Sequence, residues 1–375
     1  MNKEIINLRH DLHKHPEVSN NEYETSKRIS EFFKNLKPDK ELSLGNTSKL
    51  FIFDSKTEGN ITIFRSELDA LPISENTYLD YSSIHKNVAH SCGHDGHMAI
   101  ISALAQKIAE DRPKKGKVAL LFQAAEEVEQ GARDIVNNPD FKTLKPDYIF
   151  GLHNVPGKEL HKIIIKENSF SAASKGMTIH LEGETSHAAE PEKGVNPALA
   201  VSKIIKKLNQ LISKKELFTD LTLLTFIYIR LGEISFGTSA GKAEMGITLR
   251  SFENSDIELL TEKVEEIITN VCKEENLKLK MEYDEVFPAT VNNKHCNSLI
   301  LNAANQNEFN VEHIEEPFRW SEDFGYYSQK YNCGFFGLGS GLKQPALHNS
   351  DYNFPDEIIE TGANMFFKIY KQLNF

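Results

Sequence analysis

Apolar residues recur along the chain with two spacings, one typical of helices and one typical of buried strands. Ile5, Leu8 and Leu12 share one face of a helix expected at residues 3–14, and a second helical pattern covers residues 98–109. Short continuous apolar runs predict three buried strands, at residues 61–64, 118–122 and 148–152. This alternation predicts an α/β fold whose strands are largely buried.

The middle of the chain has a different order of elements. The pattern predicts a strand, a helix, two strands, a second helix and a last strand, at residues 177–181, 195–212, 221–231, 243–251, 255–275 and 277–283. Ser255 and Glu258 have the spacing of a capping box at the start of the second helix. The order β-α-β-β-α-β predicts a ferredoxin-like, four-stranded sheet with two helices on one face.

The chain length favours two domains, because 375 residues exceed what one hydrophobic core usually serves. The predicted small domain at residues 174–284 lies between two parts of a larger one. We therefore expect a discontinuous catalytic domain at residues 1–173 and 285–375, with an inserted domain at 174–284.

Charge and composition narrow the function classes. The formal net charge of -11 argues against a nucleic-acid partner, which normally requires clustered Lys and Arg. No apolar run approaches the length that spans a bilayer, and residues 1–17 lack the apolar core of a signal peptide, so we expect a cytoplasmic protein without a membrane partner. The four cysteines are scattered and form no CxxC pair, which argues against a disulfide framework or a zinc ribbon.

The densest cluster of reactive residues is the run His90-Ser-Cys92-Gly-His94-Asp-Gly-His97. Its glycines allow sharp backbone turns, and thiolate and imidazole ligands suit zinc or a similar transition metal. The run therefore predicts at least one metal ion. The alternative from these residues alone is a small buried cysteine beside histidines at a helix start.

Two adjacent acids, Glu126 and Glu127, directly follow the apolar run at 118–122. Ligands of open α/β sheets gather beyond the carboxyl ends of strands, where this pair and His153 are expected. One acid is able to bind a metal and the other to move protons. A solvent-exposed helix start is the alternative for such a pair.

Together these motifs resemble the M20 peptidase family, and within it the amidohydrolase branch of hippurate hydrolases, auxin-conjugate hydrolases and N-acyl-amino-acid deacylases. The resemblance extends over nearly the whole chain, and its blocks begin at Leu12, Glu67, Cys92, Glu126, Gly151, Ser186, Arg250, Phe287, Ser321 and Leu347. It implies a zinc-peptidase-like α/β catalytic domain. It also implies an inserted domain that acts as a lid and as the surface of a homodimer.

The resemblance implies a role for each matching residue. The implied ligands of a two-metal centre are Cys92, which bridges the ions, and His94, Glu127, His153 and His348. The ions would be zinc, manganese, nickel or cobalt. Glu126 is implied to be the general base and acid, and Asp69 the acid that orients a ligand.

Two residues of the inserted domain are implied to act on the substrate. His187 resembles a lid histidine that reaches the partner subunit's active site and stabilises the oxyanion. Arg250 resembles the residue that binds the substrate carboxylate, a task suited to a planar bidentate donor. A turn-forming role for Asp69 and a surface position for Arg250 are the alternatives.

Other candidate residues are predicted to be structural. We expect His13 and His15 to pack near a helix end, His97 to belong to the scaffold, and the remaining cysteines, Cys272, Cys296 and Cys333, to be buried apolar residues. We assign no functional role to the six other histidines, His10, His85, His161, His180, His295 and His313.

The chain also departs from the family pattern. Gly237 occupies the position of an asparagine that helps to hold the substrate, which puts substrate recognition in doubt. Glu67 replaces the more usual aspartate, and Met98 replaces threonine. Neither change removes an implied ligand.

The leading hypothesis is hydrolysis of N-acyl amino acids or related amide conjugates to a carboxylic acid and an amino acid. One alternative is a dipeptidase or carboxypeptidase of the same family, which would need an anionic group for the substrate ammonium. A metal-binding protein without catalytic activity is another alternative, although such a protein would not need Glu126.

Overall fold

The computed structural model describes residues 2–375. Their strands are β1 (Lys40–Leu44), β2 (Ser48–Asp54), β3 (Ile61–Glu67), β4 (Lys117–Gln123), β5 (Tyr148–Val155), β6 (Ile163–Ile165), β7 (Asn168–Ser171), β8 (Ala173–Glu182), β9 (Ser186–His187), β10 (Thr222–Leu231), β11 (Thr238–Ser239), β12 (Lys242–Ser251), β13 (Lys278–Phe287), β14 (Thr290–Asn292), β15 (Val311–His313) and β16 (Asn332–Gly339).

The α-helices are α1 (Lys3–Lys14), α2 (Tyr23–Lys34), α3 (His94–Glu110), α4 (Gly131–Asn137), α5 (Pro139–Leu144), α6 (Ala198–Ile212), α7 (Asn254–Glu274), α8 (Lys294–Gln306), α9 (Gly325–Ser328) and α10 (Ile359–Asn374). Short 3₁₀ helices form at Pro191–Lys193, Lys215–Leu217 and Asp356–Ile358. No helix within residues 2–375 combines the length and the apolar composition needed to cross a membrane.

The chain divides into two compact units. The first comprises Met1–Phe170, Thr290–Pro317 and Glu322–Phe375, and the second comprises Ser171–Ala289 and Phe318–Ser321. The four-residue segment Phe318–Ser321 thus belongs to the second unit, although its sequence neighbours on both sides belong to the first.

The first unit is built on an eight-stranded sheet with the order β1-β2-β4-β3-β5-β16-β6-β15. Strand β3 pairs in parallel with β4 and with β5, and β5 pairs in parallel with β16. The carboxyl ends of these four strands therefore meet at one edge of the sheet, where ligands bind in open α/β folds.

Helices cover this sheet because its central strands are apolar. Phe33 of α2 stacks on Phe51 of β2 with 4.0 Å between ring centroids, and Phe64 of β3 lies 5.1 Å from the ring of Phe366 in α10. All four rings are fully buried. Each stabilises the fold by roughly 1.5–3 kcal/mol relative to an exposed side chain.

The second unit contains a four-stranded antiparallel sheet with the order β10-β12-β8-β13. Alternate residues of β8, namely Met177, Ile179 and Leu181, are buried, as expected for a sheet with one covered face. Helices α6 and α7 bury apolar residues such as Ile204 and Val264. A separate two-stranded ribbon joins β9 to β11.

Some element boundaries differ from the sequence expectation. Strand β3 continues through Glu67, and β5 continues to Val155, so His153 lies inside a strand instead of after it. Helix α3 begins at His94. Polar side chains in these stretches, such as those of Arg65, Glu67 and His153, are buried, and their polarity therefore does not mark a loop.

The expected capping box at Ser255 is wrong. Helix α7 begins at Asn254 with Glu253 at its N-cap position, so Ser255 lies inside the first turn. The signal failed because serine and glutamate three residues apart also occur within helices.

Candidate metal centre

The predicted site residues of the first unit come from the shared carboxyl edge of its parallel strands and from two loops. Glu126 and Glu127 follow β4, and His153 lies near the end of β5. Cys92 precedes α3, and His94 is the first residue of that helix. His348 lies in the loop after β16.

Gly93 allows the chain to turn between Cys92 and His94. It caps α3 with a φ of 91°, in the left-handed region that favours glycine. A Cβ atom at this position would also lie 2.7 Å from Oδ1 of Asn154. The turn directs the thiol and the imidazole to one point.

Two histidines are oriented by hydrogen bonds to backbone oxygens. Nδ1 of His94 donates to the carbonyl oxygen of Asp69 at 2.8 Å, and Nδ1 of His153 donates to that of Asn154 at 2.9 Å. In the neutral form of each ring, Nε2 is therefore the nitrogen that carries the lone pair. Nε2 of His153 lies 3.5 Å from Sγ of Cys92.

His348 is held by its backbone. Its N–H donates to the carbonyl oxygen of Ser91 at 2.8 Å, which ties its loop to the residue before Cys92. Its φ of 65° is uncommon for a residue with a side chain. Nε2 of His348 lies 3.7 Å from Oε2 of Glu127.

The structure brings all five predicted ligands together. Potential ligand atoms lie within 4.8 Å of one another in the set Cys92, His94 and His153 and also in the set Cys92, Glu127 and His348. Cys92 belongs to both sets. This arrangement fits a centre for two ions.

Unpaired buried atoms fit a cation at this centre. Nε2 of His94 and Oε1 of Glu127 are buried without a hydrogen-bond partner, and they lie 3.9 Å apart. Buried polar atoms are normally paired, because an unpaired one costs about 1–3 kcal/mol. Cations bound at this centre would satisfy both atoms.

The acids of the centre have perturbed pKa values. Burial and the nearby charges of Glu322 and Glu127 raise the pKa of Glu126 well above its usual range. Burial also raises the pKa of Glu127, to about 7, although the charge of His94 opposes this. Such a concentration of negative charge favours a cation.

The other predicted ligands are also perturbed. Burial and the charge of Glu127 raise the pKa of the Cys92 thiol well above its usual range. Burial lowers the pKa of His153, and His97 adds to this effect. Burial opposes a charge on His94, but Asp69 and Glu67 outweigh it and raise the pKa of His94 to about 10. A metal ion would displace the protons that the thiol and His94 hold.

Asp69 contacts two of the predicted ligands. Its carbonyl oxygen accepts from His94, and Oδ2 of its carboxylate accepts from the backbone N–H of Glu127 at 3.0 Å and from Ser19 at 2.7 Å. Its Oδ1 atom lies 3.6 Å from Nδ1 of His94 and has no hydrogen-bond partner.

Both ring nitrogens of His97 are engaged by protein groups. Nδ1 lies 2.7 Å from Oε2 of Glu67, and Nε2 lies 2.6 Å from Oδ1 of Asn154. Asn154 also donates to the hydroxyl of Tyr352 at 2.5 Å. This chain of contacts leaves no ring nitrogen of His97 for a metal, as expected of a scaffold residue.

A buried ionic cluster next to Glu126 was missed by sequence reasoning. Arg65 is fully buried and pairs with Glu67, with Glu322 at 2.8 Å and with Asp323 at 2.6 Å. Carboxylate oxygens of Glu126, Glu322 and Asp323 lie within 4.8 Å of one another. An arginine directly after the apolar run 61–64 was the available signal, because a charge in a buried strand requires partners.

His187 and Arg250 both belong to the second unit. Nδ1 of His187 accepts from the backbone N–H of Ala189 at 3.1 Å, which leaves Nε2 as the outward nitrogen of an exposed ring. His187 pairs with Thr238 in the β9–β11 ribbon. Arg250 is half-buried near the end of β12 and donates to Ser321 at 2.8 Å.

Gly237, which replaces the expected asparagine, lies in open space. Its carbonyl oxygen accepts from the backbone N–H of Ala188, next to His187, at 3.0 Å. A Cβ atom at Gly237 would meet nothing within 4 Å. Crowding therefore does not explain the absence of the asparagine side chain.

The residues expected to be structural have structural contacts. His13 is buried between Asp95 at 2.9 Å and Glu75 at 3.2 Å. Nδ1 of His15 donates to the carbonyl oxygen of Asp11, four residues earlier in α1, at 2.8 Å. Cys272, Cys296 and Cys333 are buried free thiols.

Comparison with known proteins identifies the family that this chain resembles. The family model described as Peptidase family M20/M25/M40 matches residues 63–372. The hippurate hydrolase of Campylobacter jejuni is 28% identical over 98% of this chain and 95% of its own, and the N-acetyl-L-cysteine deacetylase of Bacillus subtilis is 28% identical over 90% of this chain and 81% of its own. The solved structure of the Bacillus subtilis protein YXEP, described as a dinuclear metal binding peptidase from the M20 family, has a TM-score of 0.84 at 25% identity and covers 98% of this chain and 96% of its own.

The chain belongs to the M20/M25/M40 peptidase family. Within that family it is a metal-dependent amidohydrolase, as its similarity to amide-cleaving hydrolases over at least 90% of this chain shows.

Proposed function

We propose that the protein hydrolyses N-acyl amino acids or related amide conjugates to a carboxylic acid and an amino acid. The observation that carries this proposal is the position of Glu126 beside His94 and Glu127, two of the five predicted ligands. Oε2 of Glu126 lies 3.8 Å from Nε2 of His94. A protein that only stored metal would have no use for a buried carboxylate at this point.

Two divalent ions would be held by this chain. Cys92, His94, Glu127, His153 and His348 would hold these ions. Zinc, manganese, nickel and cobalt all suit such thiolate, imidazole and carboxylate ligands. When bound, the ions supply Lewis acidity, which polarises the amide carbonyl and makes a water molecule a stronger acid.

Glu126 moves the proton in this reaction. Its carboxylate takes a proton from the attacking water and then delivers it to the leaving nitrogen, because an amine leaves poorly unless it is protonated. Burial and neighbouring carboxylates raise the pKa of Glu126, which favours proton uptake. Asp69 keeps His94 and Glu127 in place through the contacts described above.

Arg250 and His187 act on the substrate. Arg250 binds the carboxylate of the amino acid part, and the outward Nε2 atom of His187 stabilises the oxyanion in the active site of a partner subunit. The named activities of the relatives support this substrate class, since a hippurate hydrolase and an N-acetyl-L-cysteine deacetylase both cleave amides next to a carboxylate.

The proposal includes the architecture expected from the sequence. Residues 174–284 form an inserted, ferredoxin-like lid that also makes a homodimer, and residues 1–173 and 285–375 form the catalytic domain. The strand order β10-β12-β8-β13 supports the ferredoxin-like assignment. The free cysteines support a cytoplasmic location, because thiols stay reduced there.

The test is release of free amine from a panel of N-acetyl, N-benzoyl and indole-acetyl amino acids, with free dipeptides alongside. Each reaction is run with added metal, with a chelator, and with the Glu126→Gln variant. Turnover of blocked amino acids that disappears with the chelator and in the variant is the expected result.

Two other results would change the proposal. Turnover confined to dipeptides would replace it with a peptidase activity. If protein with two bound ions per chain releases no amine from any substrate of the panel, the proposed substrate class is contradicted.

A further inference from the structure

Arg250 is a cation without an anionic partner. Among residues 2–375, no carboxylate lies within ion-pair distance of its guanidinium group, and Nη1 is its only nitrogen with a hydrogen bond. Burial alone lowers the pKa of Arg250, with no neighbouring acid to oppose it. Such a group is suited to receive an anion from outside the chain.

The contacts of Nη1 determine which edge of the guanidinium is open. Nη1 donates to the carbonyl oxygen of Arg319 and to Oγ of Ser321, the latter at 2.8 Å. These two acceptors use both hydrogens of Nη1. The open edge is therefore the one formed by Nε and Nη2, whose parallel N–H groups match the two oxygens of a carboxylate.

The segment that supplies both acceptors, Phe318–Ser321, is fixed to the strand next to Arg250. The backbone N–H of Ala172 donates to the carbonyl oxygens of Phe318 at 3.0 Å and Trp320 at 3.1 Å, and the two rings stack 4.9 Å apart. Ala172 immediately precedes β8, in which Ser174 pairs with Arg250. The acceptors and the arginine are thus held in one frame.

We propose that Ser321 is a positioning residue for Arg250. Together with the carbonyl oxygen of Arg319, its hydroxyl fixes the plane of the guanidinium, so that the Nε and Nη2 edge binds the substrate carboxylate side-on. This inference rests on the proposed function, in which Arg250 binds that carboxylate. It assigns a role to Ser321, the first residue of the Ser321–Phe324 block.

The experiment compares one carboxylate probe with its neutral analogue, N-benzoylglycine with N-benzoylglycinamide. Ser321→Ala should raise KM for N-benzoylglycine about three- to tenfold, the size expected for one lost hydrogen bond that orients a charged group, and should change kcat less than twofold. It should leave KM for the amide unchanged. Ser321→Thr, which keeps the hydroxyl, should restore the wild-type KM.

Matched variants separate positioning from folding. Ser213→Ala removes a serine hydroxyl elsewhere in the second unit, where it donates to the carbonyl oxygen of Gln210, and should change neither KM. Arg250→Lys keeps the charge but loses the pair of parallel N–H donors. It should therefore weaken the binding of N-benzoylglycine more than Ser321→Ala does.

A binding measurement gives a readout that does not depend on turnover. Calorimetric titration of N-benzoylglycine into metal-loaded Glu126→Gln protein gives a reference Kd. Adding Ser321→Ala to that protein should raise the Kd by the same three- to tenfold factor. The Kd of the amide should not change.

The possible failures are distinguishable. The role of Ser321 would be overturned if Ser321→Ala affected the binding of both probes equally or affected neither. The proposed function would still stand if Arg250→Lys weakened binding of the carboxylate probe alone. If Arg250→Lys does not distinguish the two probes, or if the Glu126→Gln protein binds neither, the carboxylate recognition in the proposed function is overturned as well.

Discussion

The backbone carbonyl oxygen of Asp69 accepts a hydrogen bond from Nδ1 of His94 at 2.8 Å. The carboxylate of Asp69 accepts another from the backbone N–H of Glu127 at 3.0 Å. One residue therefore orients candidate ligands that lie 33 positions apart in the sequence, although it has no place among the ligands itself. Groups that orient ligands in this way affect metal affinity strongly.

Removal of the Asp69 carboxylate should weaken metal binding. Asp69→Ala should reduce affinity about 10- to 100-fold, because the N–H of Glu127 loses its acceptor and the ligand is no longer held. Asp69→Asn should lose less metal affinity, since its amide oxygen can still accept the hydrogen bond from the N–H of Glu127. Competition with a chelator measures the affinity, and Asp134→Ala, at an acid that is 73% exposed, should leave it unchanged. Wild-type affinity in Asp69→Ala would contradict the orienting role.

His94 and His97 lie in the same helical turn but should respond differently to substitution. His94→Phe should lower the bound metal below two ions per chain. His97→Phe should retain both ions but reduce the free energy of unfolding by about 1–3 kcal/mol, because Glu67 and Asn154 lose a buried partner. Metal analysis and urea unfolding separate the two effects. Loss of an ion in His97→Phe would show that His97 is a ligand.

His13 should make stability depend on pH above neutrality. Burial opposes its charge, but the charge of Asp95 outweighs burial and raises the pKa of His13 to about 9 from an ordinary 6.5. A group with a raised pKa stabilises the fold fully below 6.5 and loses that contribution as the pH rises through 9. The stability advantage of wild type over His13→Gln should therefore shrink by up to about 3 kcal/mol between pH 6 and pH 9.5.

Urea unfolding at both pH values measures this change. His15→Gln is the control, because His15 is partly exposed and bonds only at its own helix end. A constant difference between wild type and His13→Gln across the range would show that His13 does not carry the charge.

Arg65 should be important for stability because three buried acids share it as an ion-pair partner. Arg65→Met should reduce the free energy of unfolding by about 3–5 kcal/mol, since Glu67, Glu322 and Asp323 would lose their cation. Arg230→Met removes an arginine that is 76% exposed and should cost at most about 1 kcal/mol. Similar reductions in the free energy of unfolding for the two variants would contradict the claim that the buried ion pairs of Arg65 contribute more than the exposed one of Arg230.

Much of the candidate site could be predicted because its signals are local. Cys92, Gly93 and His94 are consecutive, and Glu126 and Glu127 directly follow an apolar strand. Parallel strands β3, β4 and β5 are adjacent, and strand patterning therefore placed the glutamate pair and His153 at one edge. His348 has no local signal apart from the family resemblance.

The cluster around Arg65 shows what local patterns miss. Its partners Glu322 and Asp323 are more than 250 residues away in sequence, and nothing in their own neighbourhood identifies the cation that they meet. The same holds for Ser321 and Arg250, which are 71 residues apart. Such pairs form only when distant strands and loops come together.

The sequence by itself determined the α/β class, the order of elements in the middle of the chain, and the residue types that supply the chemistry. These depend on hydrophobic periodicity and on short motifs, which act over a few residues. Only the tertiary structure decided that His97 binds Glu67 and Asn154, that Asp69 orients His94 through its backbone, and that Arg250 keeps one edge open. Those outcomes depend on distances and hydrogen-bond directions between side chains from separate elements, because a buried polar group is stabilised by a partner and the fold determines which group lies within reach.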